Sequence, residues 1–372
     1  MKRIGITGQN GFIGLHLYNS LGLFNQKYER IPFDKSFFEM ENLLDEFVSK
    51  CDVIVHLAGL NRHSDPEVIF QTNVDLAEKL KASLIRTKSK SQLIFSSSSQ
   101  EEKDNPYGRS KKLARNILQQ WAEHNGGLFV GMIIPNVFGP FGKPYYNSVV
   151  ATFCHQLTNH ELPSIKEDAE VKLIYVTELT NQILNLIDEN QNLEEFHVSP
   201  TAVRKVSEIL STLETYKEKY LLNCTIPAFP TKFELNLFNT FRSFINHRQF
   251  FPVKYKQHTD ERGAFTELIR LDSGGQISFS TTVQDITRGN HFHTRKIERF
   301  SVIKGNALIQ LRKIGTSEIL EFELEGTNPA YVDMPIWFTH NITNIGKEEL
   351  YTVFWINEAY DVADPDTYFE KV

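Results

Sequence analysis

Cysteine is scarce in this chain: three residues in 372, Cys51, Cys154 and Cys224, far apart and odd in number. That excludes a disulfide framework and suits reduced thiols, each reading as a small buried hydrophobe rather than a nucleophile. Positive charge is not in excess either. Forty Lys and Arg against 46 Asp and Glu leave a net charge of −6 and an isoelectric point near 6.1. The basic residues are spread rather than gathered into a stripe, which argues against a nucleic-acid or anionic-membrane partner. No run of about 18 apolar residues occurs, so no membrane insertion is expected. The opening MKRIGITG leads straight into a strand pattern without the apolar region of a secretory signal, and a cytoplasmic location is the expectation. Internal repeats and low-complexity tracts are missing too.

What is present is a 41% hydrophobic chain, rich enough for sizeable cores and too long for one ordinary domain. In the first half, short β-rich runs at 2–7, 52–57, 92–95 and 129–134 alternate with helical patterns at 12–21, 67–81 and 111–124. Strand–helix alternation predicts βαβ units and a Rossmann-like, doubly wound parallel sheet. Helical stretches at 206–222 and about 234–245 follow, separated by the proline-punctuated TIPAFP. Beyond that, closely spaced turns (DERG, DSGG, TRGN, IKGN, NIGKEE) without a long helix predict an all-β sandwich or barrel. The expected division is 1–245 and 246–372.

Ile4–Gly14 reads IGITGQNGFIG, a strand followed by Gly8, Gly11 and Gly14, with Phe12 and Ile13 between the last two. Glycines there allow a tight turn and let backbone amides, and the N-terminus of the next helix, approach a pyrophosphate. About 20 residues on, an acidic side chain would hold the ribose 2′-hydroxyl of NAD. Asp34 stands there, but Lys35 beside it could pair with the 2′-phosphate of NADP, and the residues leave that choice open.

FSSSSQ at 95–100 is followed by PYGRSK at 106–111. Tyr107 and Lys111, four apart, share a helix face. A phenol is a poor acid–base catalyst at neutral pH, and an adjacent ammonium would stabilise its phenolate while a nearby serine hydrogen-bonds a substrate carbonyl. Taken together, TGxxGFIG, DVIVHLAG, FSSS, PYGRSK and PNVFGP resemble the extended short-chain dehydrogenase/reductase family over roughly residues 1–199. The resemblance implies Ser98 as carbonyl polariser, Tyr107 as proton donor, Lys111 as its support, Leu57, Ala58 and Gly59 beside the cofactor, and Asn136 near the substrate. Only eight residues separate Ser98 from Tyr107, a short spacing for that family that leaves Ser97 and Ser99 as alternatives.

GNHFHTRKIERFSVIKG at 289–305 sets His291 and His293 on one face of a strand, with Glu298 following; PIWFTHNITN adds His340. Three imidazoles and a carboxylate can enclose a first-row divalent metal. The segment resembles the two signatures of the cupin (jelly-roll) barrel, with Trp337 where the second signature has glycine. DERGAFTE and TRGNH also resemble dTDP-sugar 3,5-epimerases, in which the histidine after RG is the proton-abstracting base. His291 is therefore ligand by one resemblance and base by the other.

The fusion as a whole, with KPYYNSVVATFCHQ and the ending NEAYDVADPDTYFEKV, resembles the capsular-polysaccharide CapF type of bifunctional epimerase/reductase. That resemblance implies NADPH, zinc, a homodimer, a UDP-linked 4-keto amino sugar as substrate with Asn147 and Arg262 among its contacts, and a route toward UDP-N-acetyl-L-fucosamine for capsule or O-antigen. Two other arrangements are compatible with the motifs: a reductase whose cupin serves only assembly, and an epimerase or dehydratase that retains NAD. A non-enzymatic nucleotide sensor would have no use for the YxxxK pair.

Overall fold

A computed structural model describes every residue except Arg262, on which one of the substrate expectations falls. The chain divides into two compact units, Met1–Thr152 with Ile165–Ser207, and Phe153–Ser164 with Glu208–Val372.

The first unit is built on a six-stranded parallel sheet of β1 (Lys2–Thr7), β2 (Tyr28–Ile31), β3 (Val53–His56), β4 (Gln92–Ser98), β5 (Leu128–Ile134) and the strand Leu193–His197, in the order β2-β1-β3-β4-β5 with Leu193–His197 outermost. Successive side chains of a strand point to opposite faces. Ile54, Leu93, Phe95 and Phe129 thus enter one apolar layer, with Leu44, Phe47, Leu80, Leu84, Leu118 and Trp121. Ile4, Ile6, Val53, Val55, Ile94 and Val130 enter the other, with Leu17, Leu21, Ile183 and Ile187. Both faces of the central strands β1, β3, β4 and β5 are buried, which is why these read as mostly apolar runs, whereas the edge strands Tyr28–Ile31 and Leu193–His197 are partly exposed and polar.

The helices begin where local chemistry dictates. In α1 (Phe12–Gly22) the first turn has no side-chain cap. After α2 (Glu41–Lys50), α3 (Pro66–Arg86) starts on Asp65, whose carboxylate accepts from Glu67 N, with proline in the first turn. α4 (Pro106–Asn125) is capped by Asn105, which accepts from Gly108 N at 2.8 Å, and ends at Gly126 with φ +64°. This helix starts five residues earlier than the sequence pattern suggested, so Tyr107 sits in its first turn and Lys111 one turn on.

The second unit contains two five-stranded antiparallel sheets. One runs Val253–Lys254, Ala330–Met334, Glu298–Lys304, Leu350–Ile356, Gln276–Thr282; the other Ile319–Glu325, Asn306–Lys313, Phe338–Asn344, Thr287–Phe292, Tyr368–Phe369. Among the described residues these are two separate sheets, not one closed barrel. The helical stretch 208–245, expected with the first domain, groups instead with the strands. Its buried polar groups explain this: Tyr220 donates to Asp333 at 2.6 Å, Asn239 to the Arg295 carbonyl, and Arg242 to the Met334 carbonyl.

Candidate functional site

A cleft of about 560 Å³ opens at the carboxyl ends of β1, β3, β4 and β5 in the first unit. Ligands of open α/β sheets bind in the crevice at this edge, where the strand order reverses. Its floor is the glycine loop. Gly8 has φ +76°, and a Cβ at Gly14 would stand 2.3 Å from the Gly8 carbonyl oxygen, so the loop lies against α1 only with hydrogen at that position. No side chain caps the first turn of α1, and its residues Phe12, Ile13 and Gly14 line the cleft, the helix N-terminus that a pyrophosphate requires. Gly8, Gly11, Phe12, Ile13, Gly14, Leu57 and Gly59 line the cleft, together with Ser96–Ser98, Tyr107, Lys111, Asn136 and Asn147.

Three expected cofactor residues are not in that lining. Ala58 lies just behind it, its backbone nitrogen 2.8 Å from where a Gly8 Cβ would sit. Asp34 and Lys35 stand past the end of β2, where the exposed Asp34 carboxylate accepts from both the amide and the hydroxyl of Ser36.

The serines separate by their partners. Ser96 donates to the His56 carbonyl, Ser97 to Glu101, and Ser99 is exposed. Ser98 lines the cleft, its hydroxyl accepts from the Gln100 amide at 3.2 Å, and it favours the Tyr107 phenolate. Burial pushes the Tyr107 phenol up to about 12 against the opposing hydrogen bond from Ser98. Lys111 is buried, is pushed down to about 8 by desolvation, and donates to the Ser96 carbonyl at 2.8 Å.

Sequence reasoning missed the residues that hold this arrangement. Asn73 of α3 pairs with both backbone groups of Leu60 and with Ser110. Arg115 of α4 binds Glu101 at 3.0 Å and Glu195 at 2.8 Å, with the Arg115 and Glu101 side chains almost fully buried. No local spacing signals either, because their partners lie on other elements. Asn136 donates to the Lys172 carbonyl, and Asn147, at φ +57°, donates to the Asn61 carbonyl.

In the second unit His291, His293, Glu298 and His340 converge, their ligand atoms all within 4.8 Å of one another. His293 and His340 each bring Nε2 within 3.1 Å of one Glu298 oxygen. These three buried atoms have no hydrogen-bond partner of acceptable geometry among the described residues. Burial opposes the Glu298 charge, but the two imidazoles outweigh it and hold the carboxyl well below its ordinary range. Burial, with His340 adding to it, pushes His291 down to about 4, so its imidazole is neutral at pH 7. A buried carboxylate and imidazoles turned lone pairs inward suit a divalent ion with bonds of about 2 Å. Trp337 keeps φ +62°, the backbone form that favours the glycine of the cupin signature. Its ring stacks on Phe292 at 5.6 Å and its amide donates to the His293 carbonyl.

Residues 4–199 match the NAD dependent epimerase/dehydratase family, and residues 258–368 match the polysaccharide biosynthesis C-terminal domain. The chain belongs to the NAD dependent epimerase/dehydratase family and is an enzyme of the CapF type, which joins these two parts in one polypeptide. It is 33% identical, over 98% of both chains, to UDP-2-acetamido-2,6-beta-L-arabino-hexul-4-ose reductase of Pseudomonas aeruginosa. Among solved structures it is similar to the capsular polysaccharide assembling protein CapF of Staphylococcus aureus, with 32% identity, full coverage of both chains and a TM-score of 0.63. RMD of P. aeruginosa complexed with NADPH shares the fold over 59% of this chain and 84% of that one, at 20% identity and TM-score 0.53.

Proposed function

We propose that this enzyme reduces the C4 ketone of a UDP-2-acetamido-2,6-dideoxy-4-keto-hexose after epimerisation at C3, giving UDP-2-acetamido-2,6-dideoxy-L-talose on the way to UDP-N-acetyl-L-fucosamine for capsule or O-antigen. One observation carries it: Ser98, Tyr107 and Lys111 meet in the same cleft as an amide cradle shaped by Gly8 and Gly14. The activity in the name of the P. aeruginosa relative supports the substrate class.

The residues divide the work. Ser98 donates to the C4 carbonyl oxygen. Tyr107, kept protonated by its burial, releases its proton to that oxygen as negative charge develops, and the buried Lys111 cation stabilises the phenolate left behind. Asn136, Asn147 and Arg262 are assigned to the sugar nucleotide. NADPH held along the glycine loop would supply the hydride, and zinc held by His293, Glu298 and His340, with or without His291, would supply a Lewis acid. A ketone at C4 makes the C3 hydrogen acidic, so a neutral imidazole in the second unit can remove it; a proton returned to the opposite face of C3 gives the epimer, and reduction at C4 then traps it. His291 is the candidate for that base if three ligands hold the metal, and a fourth ligand if they do not.

We further assign the second unit to the cupin class, the assembly state to a homodimer and the location to the cytoplasm. Among the described residues no helix is long and apolar enough to cross a membrane. Ile277 and Phe279, 59% and 70% exposed on the outermost strand of one sheet, support self-association. NADPH is assigned over NADH on the family resemblance and Lys35; a higher kcat/KM with NADH would reverse that. A second reading, in which the metal only staples the fold, draws on the burial of His293, Glu298 and His340. Incubation with the UDP-linked 4-keto sugar and NADPH, following nicotinamide absorbance and product NMR, tests the proposal: no oxidation, or oxidation without inversion at C3, rejects the corresponding half.

A further inference from the structure

The last residues of the chain return to the strand Thr287–Phe292, which carries His291 and ends one residue before His293. Tyr368–Phe369 pairs with that strand, Phe369 opposite His291 and Tyr368 opposite Phe292, and the Tyr368 ring stacks on Phe292 at 5.3 Å. Glu370 N donates to the Asn290 carbonyl at 3.0 Å. Just before this strand stands Asp366, 2% exposed and with φ +42°. Its carboxylate accepts from the backbone amides of Thr294 at 3.1 Å, Arg295 at 3.0 Å and Lys296 at 3.0 Å, and from the Thr294 hydroxyl at 2.6 Å. Its main-chain carbonyl oxygen lies 2.5 Å from His293 Nδ1.

We propose that Asp366 is a positioning residue of the His291–His293–Glu298–His340 centre, so that docking of the C-terminal tail and metal binding are coupled. This rests on the metal reading above. A carbonyl oxygen can only accept, so the His293 proton sits on Nδ1 and the Nε2 lone pair is directed at Glu298 and His340. The carboxylate acts on the other side of the same ligand. Residues 294–296 join the HxH strand to Glu298, and their three successive amides point at one anion, which fixes the distance between the imidazole and carboxylate ligands. Neither contact is legible in sequence spacing, since Asp366 follows His293 by 73 positions.

Zinc affinity of the full chain, stripped of metal and titrated against a chromogenic chelator, tests the coupling. Asp366→Ala should bind zinc roughly 10–100-fold more weakly, the range typical of lost partners of metal ligands. Asp366→Asn should lose less. Asp364→Ala, which removes only an exposed partner of Arg295, should match the wild type. Hydrogen exchange on the unmutated protein gives an arm that needs no variant to fold. Coupling is reciprocal, so adding zinc should slow exchange at the amides of Thr294, Arg295, Lys296 and Glu370. Wild-type zinc affinity in folded Asp366→Ala, or identical exchange with and without zinc, overturns the proposal while leaving the metal centre standing. A wild-type chain that takes up no zinc overturns the metal reading itself, and this inference with it.

Discussion

Lys111 donates a hydrogen bond to the carbonyl oxygen of Ser96 at 2.8 Å, two residues before Ser98 on the same strand. The cation is thereby fixed against the strand end that presents the serine, and its burial holds it down to about 8. Lys111 is charged below that value and neutral above it, whereas Tyr107 is pushed up to about 12 and stays protonated across the neutral range. The kcat/KM for NADPH oxidation should therefore be level below pH about 8 and fall as pH rises through it. A profile flat to pH 10, about two units beyond, would show that the Lys111 charge is dispensable.

Replacing Tyr107 with Phe removes the proton donor but little of the surface around it. NADPH oxidation should fall by about 10²–10⁴-fold with cofactor binding retained, read as turnover against a binding titration. Turnover close to wild type would remove Tyr107 from the proposed chemistry.

Gly14→Ala would place a methyl group 2.3 Å from the Gly8 carbonyl oxygen, a backbone atom with no flexible side chain to yield. The glycine loop has to shift, so NADPH affinity should drop by an order of magnitude or more. Zinc content, set in the other unit, should be unchanged.

Arg115 and Glu101 form an ion pair almost closed to solvent, and Glu101 also accepts from Ser97, next to Ser98. Arg115→Ala leaves a buried carboxylate unpaired, which destabilises by about 3–5 kcal/mol. Denaturant unfolding should show that loss, and kcat should fall because the residues holding Ser98 lose their anchor. A variant as stable as the wild type would mean the pair is solvated in solution.

The two proposed activities can be separated within the intact chain. Full-length Tyr107→Phe should still exchange the C3 hydrogen of the 4-keto sugar for deuterium in heavy water, without nicotinamide. His340→Ala should lose both bound metal and exchange, and His291→Ala should lose exchange, with its metal content deciding between base and ligand. If Tyr107→Phe does not exchange, the metal centre is not an independent epimerase and the stapling role gains.

Local patterns carried the parts of this enzyme that depend on near neighbours in the chain. The strand–turn–helix at Ile4–Gly14, the four-residue spacing of Tyr107 and Lys111, and the alternation of His291 and His293 each follow from backbone period and turn chemistry, so the parallel sheet of the first unit, the all-β character of the second and most of the cleft lining were legible, while a closed barrel was not. The tertiary structure decided what depends on distant partners and on exclusion of water. It turned the Lys111 ammonium to Ser96, drew 208–245 to the strands, paired Arg115 with Glu101, and brought Asp366 back to His293. It also set the charges, raising Tyr107 and lowering Lys111, because desolvation is a property of the surrounding packing and no spacing of residues along the chain encodes it.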